Sequence, residues 1–152
     1  MAGERFSLDS NVLVYAYDRG APAKLEQAST IIAAAARNDC WLTNQALGEF
    51  FAAATRKLAV PPAEAAAQVR EWFAIFPTID TSRQAFDAAL TAAESRRFAF
   101  WDALLLAAAA EAGCTVVLSE DMHEGARFGS LTVRSPFGAN GLSAAARRLL
   151  DL

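Results

Sequence analysis

Short apolar segments alternate with long alanine-rich segments along the whole chain, and this alternation limits the fold more than any other feature. The stretches 6–8, 41–43, 78–79, 114–118 and 131–133 read as strands, each short, apolar and bounded by capping or turn-forming residues. The stretches 12–17, 22–37, 44–58, 61–75, 82–96 and 100–112 read as helices, and 143–152 as a last short one. Pro22 opens one helix, Pro61-Pro62 separates two others, and Gly113 ends the most apolar one. Hydrophobic residues make up 54 % of the chain. Much of that fraction is alanine, which favours helix over strand and makes disorder untenable. Strands that alternate with helices build a parallel sheet covered on both faces. The expected fold is a three-layer α/β/α sandwich with a central, mainly parallel sheet. With 152 residues and no repeat or linker, residues 1–152 are expected to form a single domain.

In such folds, ligands sit beyond the carboxyl ends of the strands. Asp9 and Asp121 both follow a strand there. Each has an ordinary role open to it, Asp9 as a helix cap and Asp121 as a turn residue. Glu49, beside the apolar face of its helix, would ordinarily be a surface acid. Asp102 has an ordinary role too, as a first-turn acid favoured by the helix dipole, but it is harder to explain because it lies between Trp101 and Ala103 in the most apolar helix. A charge buried there is costly unless it is paired or bound to metal. Two acids from strand ends and two from neighbouring helices would repel one another unless a cation neutralised them. Hard divalent cations take such oxygen ligands, and magnesium keeps several waters for chemistry on phosphates. One histidine, His123, and two distant cysteines, Cys40 and Cys114, cannot assemble a zinc site. Magnesium, with manganese as a substitute and one or two ions, is therefore the expected cofactor. His123 reads as a surface or rim residue, and the cysteines as small buried hydrophobes.

These residues also carry a resemblance. Leu8-Asp9-Ser10-Asn11-Val12-Leu13, then Glu49, then Phe100-Trp101-Asp102-Ala103-Leu104, then Leu118-Ser119-Glu120-Asp121-Met122 resemble the PIN-domain pattern in order and spacing. The ending Val133-Arg134-Ser135-Pro136-Phe137 is similar to one branch, the toxin subunits of VapBC toxin–antitoxin pairs. The resemblance covers 6–137. It implies that Asp9, Glu49 and Asp102 are the three core acids and Asp121 the more variable fourth. Asp9 and Asp102 would be the main direct metal ligands, and Glu49 and Asp121 would ligate directly or through water. Asn11 and Ser119 would orient the cluster, and Glu120 would replace Asp121 if the turn rotated. The implied activity is a magnesium-dependent endoribonuclease in which metal-activated water leaves a 5′ phosphate and a 3′ hydroxyl. The implied partners are an RNA substrate, a cognate antitoxin and a second copy of the chain as a homodimer.

A net charge of −3 and a sequence pI of about 5.1 run against the basic footprint of nucleic-acid binding. A local basic rim drawn from Arg56, Lys57, Arg96 and Arg97 would answer that objection, although a solvated helix face is the ordinary role for each of them. Arg56 lies two helical turns beyond Glu49, where it would hold a substrate phosphate or pair with the acids. Phe50, Phe51, Trp72, Phe73 and Phe76 are candidates for a groove holding an antitoxin helix, although core packing is the ordinary role for most of them. No signal peptide is visible, and the run 103–118 is too short to span a bilayer, so a cytoplasmic protein with no membrane contact is expected.

Other functions fit less of the chain. An Asp-dependent phosphatase or a receiver domain needs a lysine late in the sequence, and the only lysines are Lys24 and Lys57. A Ser-His-Asp hydrolase would have to pair Ser119 with His123, local neighbours without a nucleophile elbow. A PIN-fold RNA-processing nuclease outside any toxin pair, and a non-catalytic binding module, stay open beside the toxin.

Overall fold

The computed structural model describes residues 3–152. The chain runs β1 (Phe6–Leu8), α1 (Ser10–Tyr15), α2 (Pro22–Ala35), β2 (Leu42–Thr43), α3 (Asn44–Arg56), α4 (Pro62–Ile75), β3 (Thr78–Ile79), α5 (Arg83–Glu94) and α6 (Phe100–Glu111). It continues through β4 (Val116–Leu118), β5 (Arg127–Phe128), β6 (Leu131–Arg134), β7 (Phe137–Gly138), β8 (Gly141–Leu142) and α7 (Ala144–Leu150).

The central sheet has the strand order β1-β4-β6-β5. β1 pairs in parallel with β4, and β4 with β6, while β5 returns antiparallel against β6. β2 and β3 form a second parallel pair, and the backbone from Asp39 to Trp41 bonds to Phe6, which joins that pair to β1. Every residue of β1 and β4 is buried, Ser7 included. A strand buried at successive positions has both faces covered. This is the expected three-layer α/β/α sandwich with a mainly parallel sheet.

Local chemistry sets the helix starts. Asp9, Thr43, Ser82 and Ser143 each accept a hydrogen bond from a backbone N–H at the start of α1, α3, α5 and α7. Each such cap is worth about 1 kcal/mol. Because Asp9 itself caps α1, that helix begins at Ser10, two residues before the expected start, and ends at Tyr15. In α6 every residue from Ala103 to Ala109 is buried, which makes it the central helix of the core. Gly113 follows it with φ 90°, a left-handed position that suits glycine. Cys40 and Cys114 are buried free thiols.

The two-residue strands β5, β7 and β8 were not expected from the sequence, since two residues are too few for an alternating pattern. Conversely, Cys114 and Thr115 lie before β4, whose ladder starts at Val116.

Candidate active site

Asp9 stands at the carboxyl end of β1 and Ser119 at that of β4, and the parallel register brings the two together. The Ser119 hydroxyl, 1 % exposed, donates to Asp9 Oδ2 at 2.7 Å. Ser10 N–H donates to Asp9 Oδ1 at 2.7 Å, so both carboxylate oxygens are held. Asn11, the second residue of α1, is the hub of the arrangement. Its Nδ2 lies 3.2 Å from Asp9 Oδ2, 3.3 Å from Ser119 Oγ and 3.3 Å from Asp121 Oδ2. Its Oδ1 accepts from the Glu120 backbone N–H at 3.3 Å. Asn11 thus ties β1 to the 119–121 turn and aims Asp121 at the same place as Asp9.

Glu49 and Asp102 arrive on α3 and α6. Gln45, one turn before Glu49, donates from Nε2 to the Trp101 carbonyl at 2.9 Å and lies 3.4 Å from Glu49 Oε1. The sequence did not single out Gln45. Its i, i+4 spacing to Glu49 was the one available signal.

The four acids feel one another. Burial raises the Asp9 pKa; hydrogen bonds from Ser119 and Ser10 oppose the rise, and the charges of Asp121 and Asp102 add to it. Glu49 is exposed at the rim, yet partial desolvation raises its pKa, followed by the charge of Asp9 and then by those of Asp102 and Asp121. Asp102 is raised by desolvation first and by Asp121 second. Among the described residues, no cation pairs with these acids. The ion pairs among the described residues are Arg5–Asp39, Lys24–Glu120 and Arg134–Glu124, and none includes these acids. Among the described residues, no three His, Cys, Asp or Glu side chains close tightly enough to hold one ion unaided. The set is an open bowl of repelling carboxylates. It fits a hard cation held by one or two carboxylates with water at its other positions, which is how magnesium is usually bound.

Glu120 turns away from the bowl. Its carboxylate pairs with Lys24 at 2.6 Å, and Lys24 lies over the rings of Phe137 at 4.1 Å and Tyr15 at 5.0 Å. The Tyr15 phenol is pushed up to about 12 by burial, then by Glu120 beside it. The turn is therefore set with Asp121, not Glu120, beside Asn11.

The expected basic rim is only loosely related to the acids. Arg56 is exposed at the end of α3 and, among the described residues, enters no ion pair, the acids included. Lys57 lines a cavity of about 480 Å³ with Tyr17, Asp18 and Glu64, which contains none of the four acids. Arg97 reaches the Arg127 carbonyl at 3.4 Å and lies over Phe98 at 5.7 Å. Arg96 is exposed, with φ 59° in the left-handed region, immediately beyond α5. His123 is exposed.

The aromatic set divides. Phe50, Trp72 and Phe76 are core residues at 0, 3 and 4 % exposure. Phe51 and Phe73 are exposed, and with Leu47 and Val69 they line a groove of about 460 Å³ between α3 and α4.

A family model described as "PIN domain" matches residues 7–123. The search of curated proteins found no match. Among solved structures, the chain is similar to Mycobacterium tuberculosis VapC20, described as a sarcin–ricin-loop-cleaving toxin, with 20 % identity and a TM-score of 0.59 over 76 % of this chain and 91 % of that one. It is also similar to a chain of Rickettsia felis VapBC2 bound to a promoter DNA fragment, with 15 % identity and a TM-score of 0.61 over 86 % and 97 %. A chain of DNA-bound VapBC from Salmonella typhimurium gives 18 % identity and a TM-score of 0.60 over 87 % and 98 %. At these identities the likeness is one of fold.

Proposed function

This chain belongs to the PIN-domain family, and from that premise we propose that it is a divalent-metal-dependent endoribonuclease and the toxin of a toxin–antitoxin pair. The observation that carries this function is the convergence of Asp9, Glu49, Asp102 and Asp121 with no cation paired to them among the described residues. Asp9 and Asp102 would hold the ion directly, and Glu49 and Asp121 directly or through water. Magnesium is the expected ion, with manganese as a substitute and room for one or two. When bound, the metal would lower the pKa of a water presented to a phosphodiester and offset charge on the leaving 3′ oxygen.

The protein's own groups do the rest. Ser119 and Asn11 fix the Asp9 carboxylate, and the Ser119 hydrogen bond favours its charged form against the effect of burial. Asn11 does the same positioning for Asp121. Glu49 is exposed at the rim, where it would ligate the ion directly or through water. Arg56, Arg96 and Arg97 are exposed cations available to substrate phosphates. A single-stranded RNA loop is the favoured substrate, because its bases can be splayed and read. The likeness to a toxin that cleaves the sarcin–ricin loop supports an RNA target.

The groove lined by Phe51 and Phe73 suits the apolar face of an amphipathic antitoxin helix, and the likeness to VapBC complexes supports such a partner. Phe86 and Leu90, exposed one turn apart on α5, offer an apolar face to a second copy of the chain as a homodimer.

The test is incubation of total RNA with the purified chain and magnesium or manganese, beside chelator and Asp102→Asn. Discrete fragments that vanish with both controls support the function. A folded chain that binds no metal and cuts nothing would overturn it.

A further inference from the structure

Trp101 is 63 % exposed, the most of any large hydrophobic side chain among the described residues. The exposed part of an indole adds nothing to the core, because apolar surface stabilises a fold only where it is covered. The ring is nevertheless held in place. It meets Phe100 edge-on, with centroids 5.1 Å apart at 73°, and Phe100 meets Phe86 in the same way at 5.3 Å and 66°. The backbone is held too. The Trp101 carbonyl accepts from Gln45 Nε2 at 2.9 Å, and the same nitrogen lies 3.4 Å from Glu49 Oε1. Trp101 thus has Asp102 beside it in the chain and Glu49 across one side chain. Phe100 covers at most one face of the indole, and the exposure of the ring leaves the other open. Cations lie along the same segment. Arg96 and Arg97 stand in the turn before α6, and Arg97 reaches the carbonyl of Arg127 on β5 at 3.4 Å. All three arginines are exposed, and among the described residues none enters an ion pair. An aromatic face beside cations that track a phosphate backbone is how single strands are commonly bound.

We propose that Trp101 is a substrate-binding residue: its open face stacks on a base of single-stranded RNA next to the phosphate at the acid bowl, while Arg96, Arg97 and Arg127 meet neighbouring phosphates. This inference rests on the nuclease function proposed above and says how that site grips its substrate. A protein surface is the other class of occupant for an exposed indole. RNA is favoured because Asp102 follows Trp101 directly, so a strand laid across the acids passes the ring. The unpaired arginines also suit phosphates. Every base has a π-face, so the contact holds a nucleotide without selecting its sequence.

The probes are a single-stranded adenosine dodecamer and an abasic strand of the same length and charge. Calcium replaces magnesium, because it takes the same kind of oxygen ligands. Binding is followed by the anisotropy of an end label and by indole fluorescence. Trp72 is 3 % exposed and Trp41 is partly buried, so quenching by a stacked adenine reports Trp101. The expected result is quenching by the adenosine strand and none by the abasic one. Trp101→Leu, which keeps apolar bulk without a π-face, should bind the adenosine strand about tenfold more weakly and the abasic strand as the parent does. Trp101→Phe should keep most of the affinity and lose the quench. Both variants should melt with the parent, because the ring is exposed. Parent-like affinity of W101L for the adenosine strand would overturn the proposal, and so would equal weakening for both strands. A parent chain that binds neither strand would overturn it as well. So would a loss in W101L that tracks a dimer falling to monomers in sedimentation, since the ring would then be a contact between copies. Thermal stabilisation of the parent by calcium without RNA tests the metal site separately. Its absence would sink the nuclease function, whereas its presence beside parent-like RNA binding in W101L would sink only the inference about Trp101.

Discussion

Replacing Ser119 with alanine isolates the bond that keeps Asp9 usable. The hydroxyl is 1 % exposed and donates at 2.7 Å to a carboxylate that is itself only 7 % exposed. A hydrogen bond to a charged group at such a site is worth about 1.5–3 kcal/mol. Asp9 Oδ2 would keep only the longer contact to Asn11 at 3.2 Å, and the Met122 N–H would lose its acceptor. The loss depends on pH, and its sign is fixed. Burial already holds the folded-state pKa of Asp9 above the ordinary 3.8, and the Ser119 bond works against that rise. Removing the bond lifts the folded pKa further and favours the protonated carboxyl. A raised carboxyl pKa adds stability below the unfolded-state pKa, and that stability is lost as pH rises through the folded value. The Ser119→Ala deficit is therefore largest at neutral pH and shrinks as pH falls through the raised Asp9 pKa toward 3.8. Each further pKa unit corresponds to about 1.4 kcal/mol of that difference. Urea unfolding in chelator, at neutral pH and again in mild acid, measures it. A deficit independent of pH would refute the link between Ser119 and the charge on Asp9. A deficit near zero at neutral pH would refute the burial argument altogether.

Adding magnesium at neutral pH is expected to stabilise the chain, by about 2.7 kcal/mol at a hundredfold excess over the dissociation constant. The shift should be reduced in Asp102→Asn, as read by thermal unfolding. Lys24→Ala should cost only about 0.5 kcal/mol, since the Lys24–Glu120 pair is about a third exposed. Glu120→Gln should let the Tyr15 phenol titrate below its present value of about 12, as followed by phenolate absorbance. Arg96→Gly should raise stability by about 1 kcal/mol, because glycine tolerates φ 59° where arginine is strained. The same change should weaken RNA binding, so weaker binding without lost stability would mark Arg96 as a substrate contact. Phe73→Glu should abolish capture of an antitoxin helix while leaving RNA cleavage intact, because Phe73 lines the α3–α4 groove and not the acid bowl.

The parts of the site written into local sequence could be read directly. Asp9 follows a strand and precedes a helix, so its position beyond a sheet edge needs only the alternation of elements. Asp102 stands out in sequence as a charge in an apolar helix, but it is half-buried in the first turn of α6, just before the buried run from Ala103 to Ala109, beside an exposed Trp101. What depends on distant partners could not be read. Glu120 meets Lys24 and Asp121 meets Asn11, each partner about a hundred residues earlier, and no local pattern encodes those pairings. Gln45 bonds to the backbone carbonyl of Trp101, a contact that a side-chain pattern does not reveal. Among the aromatics, helix period alone separates inward Phe50 from outward Phe51, but the depth of Trp72 and Phe76 depends on how α4 packs. Strands of two residues, such as β5, exist only through their partner.

The most direct measurement for the whole account is the chemistry of the cut ends. RNA cleaved by this chain in magnesium would be resolved and its termini tested for enzymatic ligation and phosphate removal. Attack by a metal-activated water predicts a 5′ phosphate and a 3′ hydroxyl on every fragment. Fragments ending in a 2′,3′-cyclic phosphate, with a free 5′ hydroxyl, would mean attack by the RNA's own 2′-OH and would contradict the account of the acid bowl.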